Sequence, residues 1–343
     1  MRIVVIGATG HIGSYLVPNL VDSGHDVVAL SRGLREPYRV DTAWDEVARV
    51  TVDRDAEDAA GTFGGRVSGL NADAVIDLMC FTPSSGKQLV DALRGTGAIL
   101  LHCGTIWVHG PAVEVPATED SARAPFGDYG TGKAAVEQLL LDETRRGGVR
   151  CAVLHPGHIS GPGWPLINPA GNLDLAVWHK LATGQTVELP NFGLETLHHV
   201  HASDVAQAFQ LALDHFDRAA GESFHVVSEA ALTLRGFAEA VAGWFGRTAV
   251  LSFLPWETYR AAVAPEHAQA TWEHISRSPS MSVAKAKDRL GYQPRYSSLR
   301  TAAEAVRWLA EHGQLDVDVA AMRASGAFTA GCRRRDTPLG SAS

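Results

Sequence analysis

Apolar positions along the chain fall into two rhythms. Ile3–Ile6, Asp26–Leu30, Arg49–Val52, Ala74–Leu78, Ala98–His102 and Cys151–Leu154 are short runs rich in Val, Ile and Leu. Such runs predict strands buried on both faces. Between them, amphipathic stretches near His11–Asp22, Gly65–Leu70, Ser84–Leu93 and Thr131–Arg146 have helical spacing. A strand followed each time by a helix predicts an α/β fold with a doubly wound parallel sheet.

After Leu154 the rhythm loosens. Residues Gly157 to Gly171 are rich in Gly and Pro and predict an irregular loop over a site. A helix at Leu173–Thr183 and strands at Thr186–Leu189 and Leu197–Val200 are expected next. Ser203 is placed as the N-cap of a helix running to His215, with Asp204 in its first turn. Phe224–Val227 predicts a strand, and Leu234–Phe245, Ser282–Leu290 and Leu299–His312 predict helices. From Leu315 periodicity fades, so residues 315–343 are expected to be a loose tail.

Composition narrows the classes. The chain has 343 residues, 45% of them hydrophobic and 20% charged, enough to bury a sizeable core and to exclude a disordered or collagenous chain. A net charge of −8 argues against nucleic acid as the partner; Arg333-Arg334-Arg335 is too short a run to reverse that. No apolar stretch approaches the length of a membrane span, and no signal peptide is expected before Ile3. Cys80, Cys103, Cys151 and Cys332 lack metal-type spacing, and reduced thiols in a cytoplasmic protein are expected. Only five lysines stand among the 30 basic residues, which makes each worth locating.

The first strand runs into Gly7-Ala8-Thr9-Gly10-His11-Ile12-Gly13 and then a helix. Glycines there permit a tight turn and close backbone approach, and a helix N-terminus favours phosphate. Strand, glycine turn and helix together point to a dinucleotide site. A ribose-binding acid is expected about 20 residues on, but Leu30-Ser31-Arg32-Gly33 holds none before Glu36. Arg32 could pair with a 2′-phosphate, so NADP is favoured and NAD remains possible. Asp53, after the third strand, is a candidate for contact with the adenine.

Tyr129 and Lys133 lie four residues apart at a helix start and can share a face. A tyrosine hydroxyl titrates near ~10 in water, so a neighbouring ammonium would help it move protons at neutral pH.

These pieces resemble the extended short-chain dehydrogenase/reductases of the NAD(P)-dependent epimerase/dehydratase type. The matching segments are Gly7–Gly13, Cys103–Gly110, Tyr129–Lys133, His155–Gly163, His199–Phe209 and Leu290–Leu299. The resemblance implies a Rossmann-type nucleotide domain (residues 1–165 and roughly 195–228) and a smaller C-terminal α/β substrate domain (166–194 and 229–314). It implies Thr105, Tyr129 and Lys133 as the catalytic set, with Tyr129 moving a hydroxyl proton during hydride transfer. Leu78, Met79 and Cys80 would line the cofactor, and Pro156 and Gly157 would pass near the nicotinamide. A homodimer is expected of such a family member.

Three departures shape the substrate. Dehydratases of this family carry an Asp-Glu pair after the catalytic Thr, where this chain has Ile106-Trp107, so 4,6-dehydration is not expected. His155 stands where the family usually has Arg. Leu194-Glu195-Thr196-Leu197-His198 lacks the Arg that commonly holds a diphosphate. Trp107, His158, Trp164 and His199 are candidates for the substrate wall. His198, His199 and His201 invite a metal reading, but no carboxylate or thiol completes a ligand set, so no metal is expected. The resemblance thus implies an NAD(P)-dependent epimerase or oxidoreductase acting on a sugar-like hydroxyl or carbonyl. The alternatives are an NADPH-dependent carbonyl reductase of a non-nucleotide substrate and a non-catalytic cofactor-binding scaffold.

Overall fold

A computed structural model of the chain describes residues 1–329. Seven parallel strands form the central sheet: β1 (Arg2–Ile6), β2 (Asp26–Ser31), β3 (Ala48–Thr51), β4 (Ala74–Asp77), β5 (Ile99–Cys103), β6 (Cys151–Pro156) and a last strand, Ser223–Val226. Across the sheet the order is Ser223–Val226, β6, β5, β4, β1, β2, β3. The winding therefore reverses between β1 and β4, where Ile6 pairs with Asp77. In open α/β sheets that reversal leaves a crevice at the carboxyl ends of the strands, where ligands bind.

Alternation along the strands divides the core in two. Ile3 and Val5 face α1 (Gly13–Asp22) and the helix Ala202–Asp214. Val4 and Ile6 face the layer that includes Phe63, Leu89 and Val136. Those residues belong to α3 (Phe63–Ser68), α4 (Pro83–Leu93) and α5 (Gly127–Arg145), with α2 (Arg54–Ala60) just before them. A separate apolar cluster built around Trp178, Phe237 and Val306 forms the core of the second unit.

Several boundaries differ from expectation. Helix α5 starts at Gly127 rather than Thr131, so Tyr129 sits in its first turn. The expected strand at Leu197–Val200 is two short ones: Thr196–Leu197 pairs with Leu232–Thr233, and His199–His201 pairs with His158–Ser160. The loop from Gly157 to Gly171 is thus part strand. Ser203 is not the N-cap: His201 is, its Nδ1 accepting from the Ser203 amide at 3.1 Å. An imidazole acceptor can fill the role expected of a hydroxyl. The segment around Met281, Ala286 and Tyr292 packs on the nucleotide-domain core rather than within the second unit. Residues 315–329 are not loose: Val319–Ala324 is helical, and Leu315, Met322 and Ala327 are buried in the second core. Cys332 and Arg333-Arg334-Arg335 lie outside the described residues. The strand Val250–Leu254 and helices Trp256–Ala262 and Pro265–Ile275 had no expectation.

Candidate active site

The turn after β1 is shaped by close packing. Gly7 has φ +83°, and a Cβ there would meet Met79 Cγ at 2.4 Å. A Cβ on Gly13 would lie 2.0 Å from the Ala8 carbonyl oxygen, so α1 can pack on the turn only with glycine there. The Gly7 and Ala8 amides are used by Leu30 O, whereas those of His11 and Ile12 donate to no acceptor among the described residues. Ile12 caps α1 without a side-chain bond, and the first turn has no acid. A glycine cradle with free amides at an uncapped helix end fits a dinucleotide pyrophosphate. Residues Gly7, Thr9, Gly10, His11, Ile12 and Gly13 would form this cradle.

His11 is buried, its ring stacked on Trp164 at 5.0 Å and its Nε2 beside Pro162 O at 3.2 Å. Burial pulls it down to about 4, so it is neutral at physiological pH. Trp164 therefore covers the phosphate turn together with Tyr38, rather than joining the wall beside Tyr129. Arg32 is exposed just beyond β2 and makes no ion pair among the described residues, while Glu36 is paired with Arg49 at 2.9 Å. Asp53 has a local duty: its Oδ1 accepts from the Ala56 amide at 3.1 Å as the N-cap of α2. Leu78 and Met79 follow β4 beside the turn, but the Cys80 side chain is buried in the core with α4 and α5, its thiol pushed up to about 11 by burial. Its side chain does not line the cleft; Phe81, which no sequence pattern marks, has the Lys133 ammonium 4.7 Å above its ring.

Across the crevice, Thr105 follows β5, and its Oγ1 accepts from the Trp107 amide at 3.3 Å. Tyr129 keeps 43% of its surface exposed, yet the packing around it pushes its hydroxyl up to about 12, with Thr105 pulling the other way. Lys133 is buried and donates to the Cys103 carbonyl at 2.7 Å, its Nζ 6.0 Å from the Tyr129 ring centre. The Cys103 carbonyl of β5 holds the cation, and desolvation leaves Tyr129 above its ordinary value despite that neighbour. Desolvation pulls Lys133 itself down.

Behind this set, the Thr105 amide donates to His155 Nδ1 at 3.0 Å, and His155 Nε2 lies 3.0 Å from Glu137 Oε1. Arg123 pairs with the other oxygen of Glu137. Burial alone would raise Glu137, but His155 and Arg123 outweigh it and hold the carboxyl well below its usual range. Tyr129, Lys133 and Glu137 stand at successive four-residue steps, so one face of α5 carries all three. A Cβ on Gly104 would come 2.3 Å from His155 Nδ1, which explains the glycine.

The outer wall is aromatic. Trp107 meets the Tyr129 ring edge-on at 5.6 Å and His274 at 5.4 Å, and its Nε1 donates to His158 Nε2 at 3.5 Å. His199 packs on His158 at 5.8 Å. Burial holds His158 well below its ordinary value and His199 at about 3. His274 and Arg277 were not expected here, since nothing in their spacing relates them to Tyr129. Pro156 ends β6, and Gly157 leaves room for the His198 carbonyl, which a Cβ would meet at 2.3 Å. Among the described residues no three His, Cys, Asp or Glu side chains gather as metal ligands, and no helix is long and apolar enough to cross a membrane.

A glycine cradle at the sheet's switch point, facing a Thr–Tyr–Lys set, defines a dinucleotide-dependent enzyme of the extended short-chain dehydrogenase/reductase class. Residues 3–226 match the NAD dependent epimerase/dehydratase family, and the chain belongs to it. The chain is 28% identical to a dTDP-6-deoxy-L-talose 4-dehydrogenase (NAD(P)(+)) of Kitasatospora kifunensis, over 90% of this chain and 95% of that one. It is 28% identical to the 2′-dehydrokanamycin reductase of Streptomyces kanamyceticus, over 72% and 67% respectively. The structure of MoeE5 with UDP-glucuronic acid and NAD superposes with a TM-score of 0.67 at 22% identity, covering 91% of this chain and 100% of that one. The cofactor class is a nicotinamide dinucleotide, and the protein is an NAD(P)-dependent enzyme of the epimerase and reductase type.

Proposed function

We propose that the protein interconverts a hydroxyl and a carbonyl on a sugar or nucleotide-sugar-like substrate, with NADP preferred to NAD. The observation that carries this reading is the face of α5 that sets Tyr129 and Lys133 beside Thr105 at the carboxyl edge of the sheet. A bound nicotinamide would supply or accept the hydride. Thr105 would hold the substrate oxygen. Tyr129, protonated at neutral pH because its hydroxyl is held at about 12, would give that oxygen its proton in the reducing direction and recover it in the reverse. Lys133 would hold the nicotinamide ribose from the floor of the site. The preference for NADP rests on an unpaired Arg32 and on the engagement of Glu36 by Arg49.

The test is to incubate the purified chain with NADPH or NADH and a panel of UDP- and dTDP-sugars and unmodified glycosides, reading products by mass spectrometry. Interconverted sugars without net NADPH consumption support an epimerase. Absence of any product across the panel would sink the reading. A net carbonyl reductase of a non-nucleotide substrate is the second reading, favoured by His155 and the Arg-free segment 194–198; stoichiometric NADPH consumption would select it. Buried free thiols at Cys80, Cys103 and Cys151 suit a reducing cytoplasm, and a homodimer, as in the family, would be read by sedimentation.

A further inference from the structure

Arg277 follows the helix Pro265–Ile275 of the second unit, yet its guanidinium is built into the catalytic wall. Its carbon ζ lies 3.8 Å from the ring centre of Trp107 and 3.8 Å from that of Phe126. Nη2 donates to the Phe126 carbonyl at 2.8 Å and Nη1 to the Glu273 carbonyl at 2.5 Å. The residue is 3% exposed, and its Nε has no partner among the described residues. Both faces are therefore covered by rings, and each terminal nitrogen is tied to a backbone carbonyl.

The two rings it joins are not neutral spectators. Trp107 lies two residues after Thr105 and stands edge-on to Tyr129 at 5.6 Å. Phe126 is the N-cap residue of α5, three before Tyr129. Burial pulls Arg277 down to about 10, which leaves it charged at neutral pH and able to hold both aromatic faces. A planar guanidinium can stack on two rings while its fork bonds carbonyls, and an ammonium cannot do both.

We propose that Arg277 is a positioning residue: stacked between Trp107 and Phe126, it sets the indole wall against Tyr129 and so ties the second unit to the proton-transfer centre. The proposal deepens the catalytic reading above and depends on it only for its kinetic arm. The first arm needs no turnover. The full chain is labelled with 5-fluorotryptophan, and the Trp107 resonance is assigned by its loss in Trp107→Phe. Arg277→Lys is expected to shift or broaden that resonance while the other tryptophan lines hold. An unmoved Trp107 line would overturn the proposal.

In the second arm, Arg277→Lys is expected to lower kcat by up to about a hundred-fold, the size expected of a reacting group misplaced by about 1 Å, with NADPH affinity unchanged. Unchanged kcat, or a loss confined to KM, would overturn it. Should Arg277→Lys fail to fold, Phe126→Leu removes one slab and leaves the cation; the Trp107 line and kcat are then measured in that variant, and each result carries the same meaning. A wild-type chain that binds NADPH but turns over nothing in the panel defeats the catalytic reading, and the fluorine arm then decides this one alone.

Discussion

The phosphate turn after β1 is made of backbone, whereas the wall around Tyr129 is made of buried side chains that depend on one another. In the turn, Gly7 and Gly13 serve by what they lack: a Cβ on either would strike Met79 or Ala8. Around Tyr129, each group is placed by the next, with Thr105 on His155, His155 against Glu137, and Trp107 under Arg277. The first kind of site places its strictest demands on its glycines, where a Cβ would clash. The second spreads its demands over residues far apart in sequence, so a single loss reaches the chemistry indirectly.

The largest effect expected on this contrast comes from Tyr129→Phe. Removing one positioned proton donor typically costs about a hundred- to ten-thousand-fold in rate, and the turn is untouched. Turnover should collapse while NADPH fluorescence titrations return an affinity within about two-fold of wild type. Comparable loss of cofactor affinity would show that the two regions are not separable as described.

His155→Ala follows. It strips the imidazole that lies 3.0 Å from Oε1 of Glu137, which is 2% exposed, and leaving a buried charged group short of a partner costs about 1–3 kcal/mol or more. Arg123 still faces the carboxylate and keeps the loss at the lower end. The pH dependence gives a second check. Glu137 has a folded value held below its unfolded one of 4.5, so its contribution is present above that value and is lost as pH falls through the folded one. In Glu137→Gln, melting curves between neutral pH and pH ~3 should therefore fall less steeply than in wild type. Parallel curves would show that this carboxylate is not stabilised as the contacts imply.

Gly13→Ala tests the backbone region. With the new Cβ against the Ala8 carbonyl, α1 must shift, and such overpacking costs about 1–3 kcal/mol. The cofactor should weaken along with the melting temperature, whereas Lys133 and Tyr129 stay where α5 holds them. An unaltered NADPH affinity would mean that the packing of α1 on the turn does not set the cradle.

The same contrast explains what could be read from residues alone. The strands and the glycine turn were legible because burial on both faces and the need for a missing Cβ leave local marks, as at Ile3–Ile6 and Gly7–Gly13. Tyr129 and Lys133 were legible through helical spacing. His155 was visible only as a departure from an Arg, with no hint that it would hold the Thr105 amide. Arg277 was invisible, because its two partners, Trp107 and Phe126, lie 170 and 151 positions away and only tertiary packing brings them together. Trp164 was legible as a wall residue, but its wall is the one over His11. The capping role of His201 was missed because Ser203 offers the commoner capping side chain.

The smallest effect expected is at Arg32, and it bears on the open edge of the turn. The residue is exposed and unpaired, so an interaction with a 2′-phosphate there is screened by solvent and worth far less than a buried one. Arg32→Asp replaces a cation with the acid that ordinarily holds a ribose 2′-hydroxyl. The ratio of NADPH to NADH affinity should fall about ten-fold, equivalent to roughly 1.4 kcal/mol. The difference should shrink as salt rises from about 50 to about 500 mM, since exposed charges are screened over about 10 Å at 0.1 M. Melting temperature should stay where it is, because Arg32 supports nothing in the fold. An unchanged ratio at low salt would remove Arg32 from cofactor selection and leave the choice to the backbone of the turn, the region that the larger predictions treat as indifferent to side-chain charge.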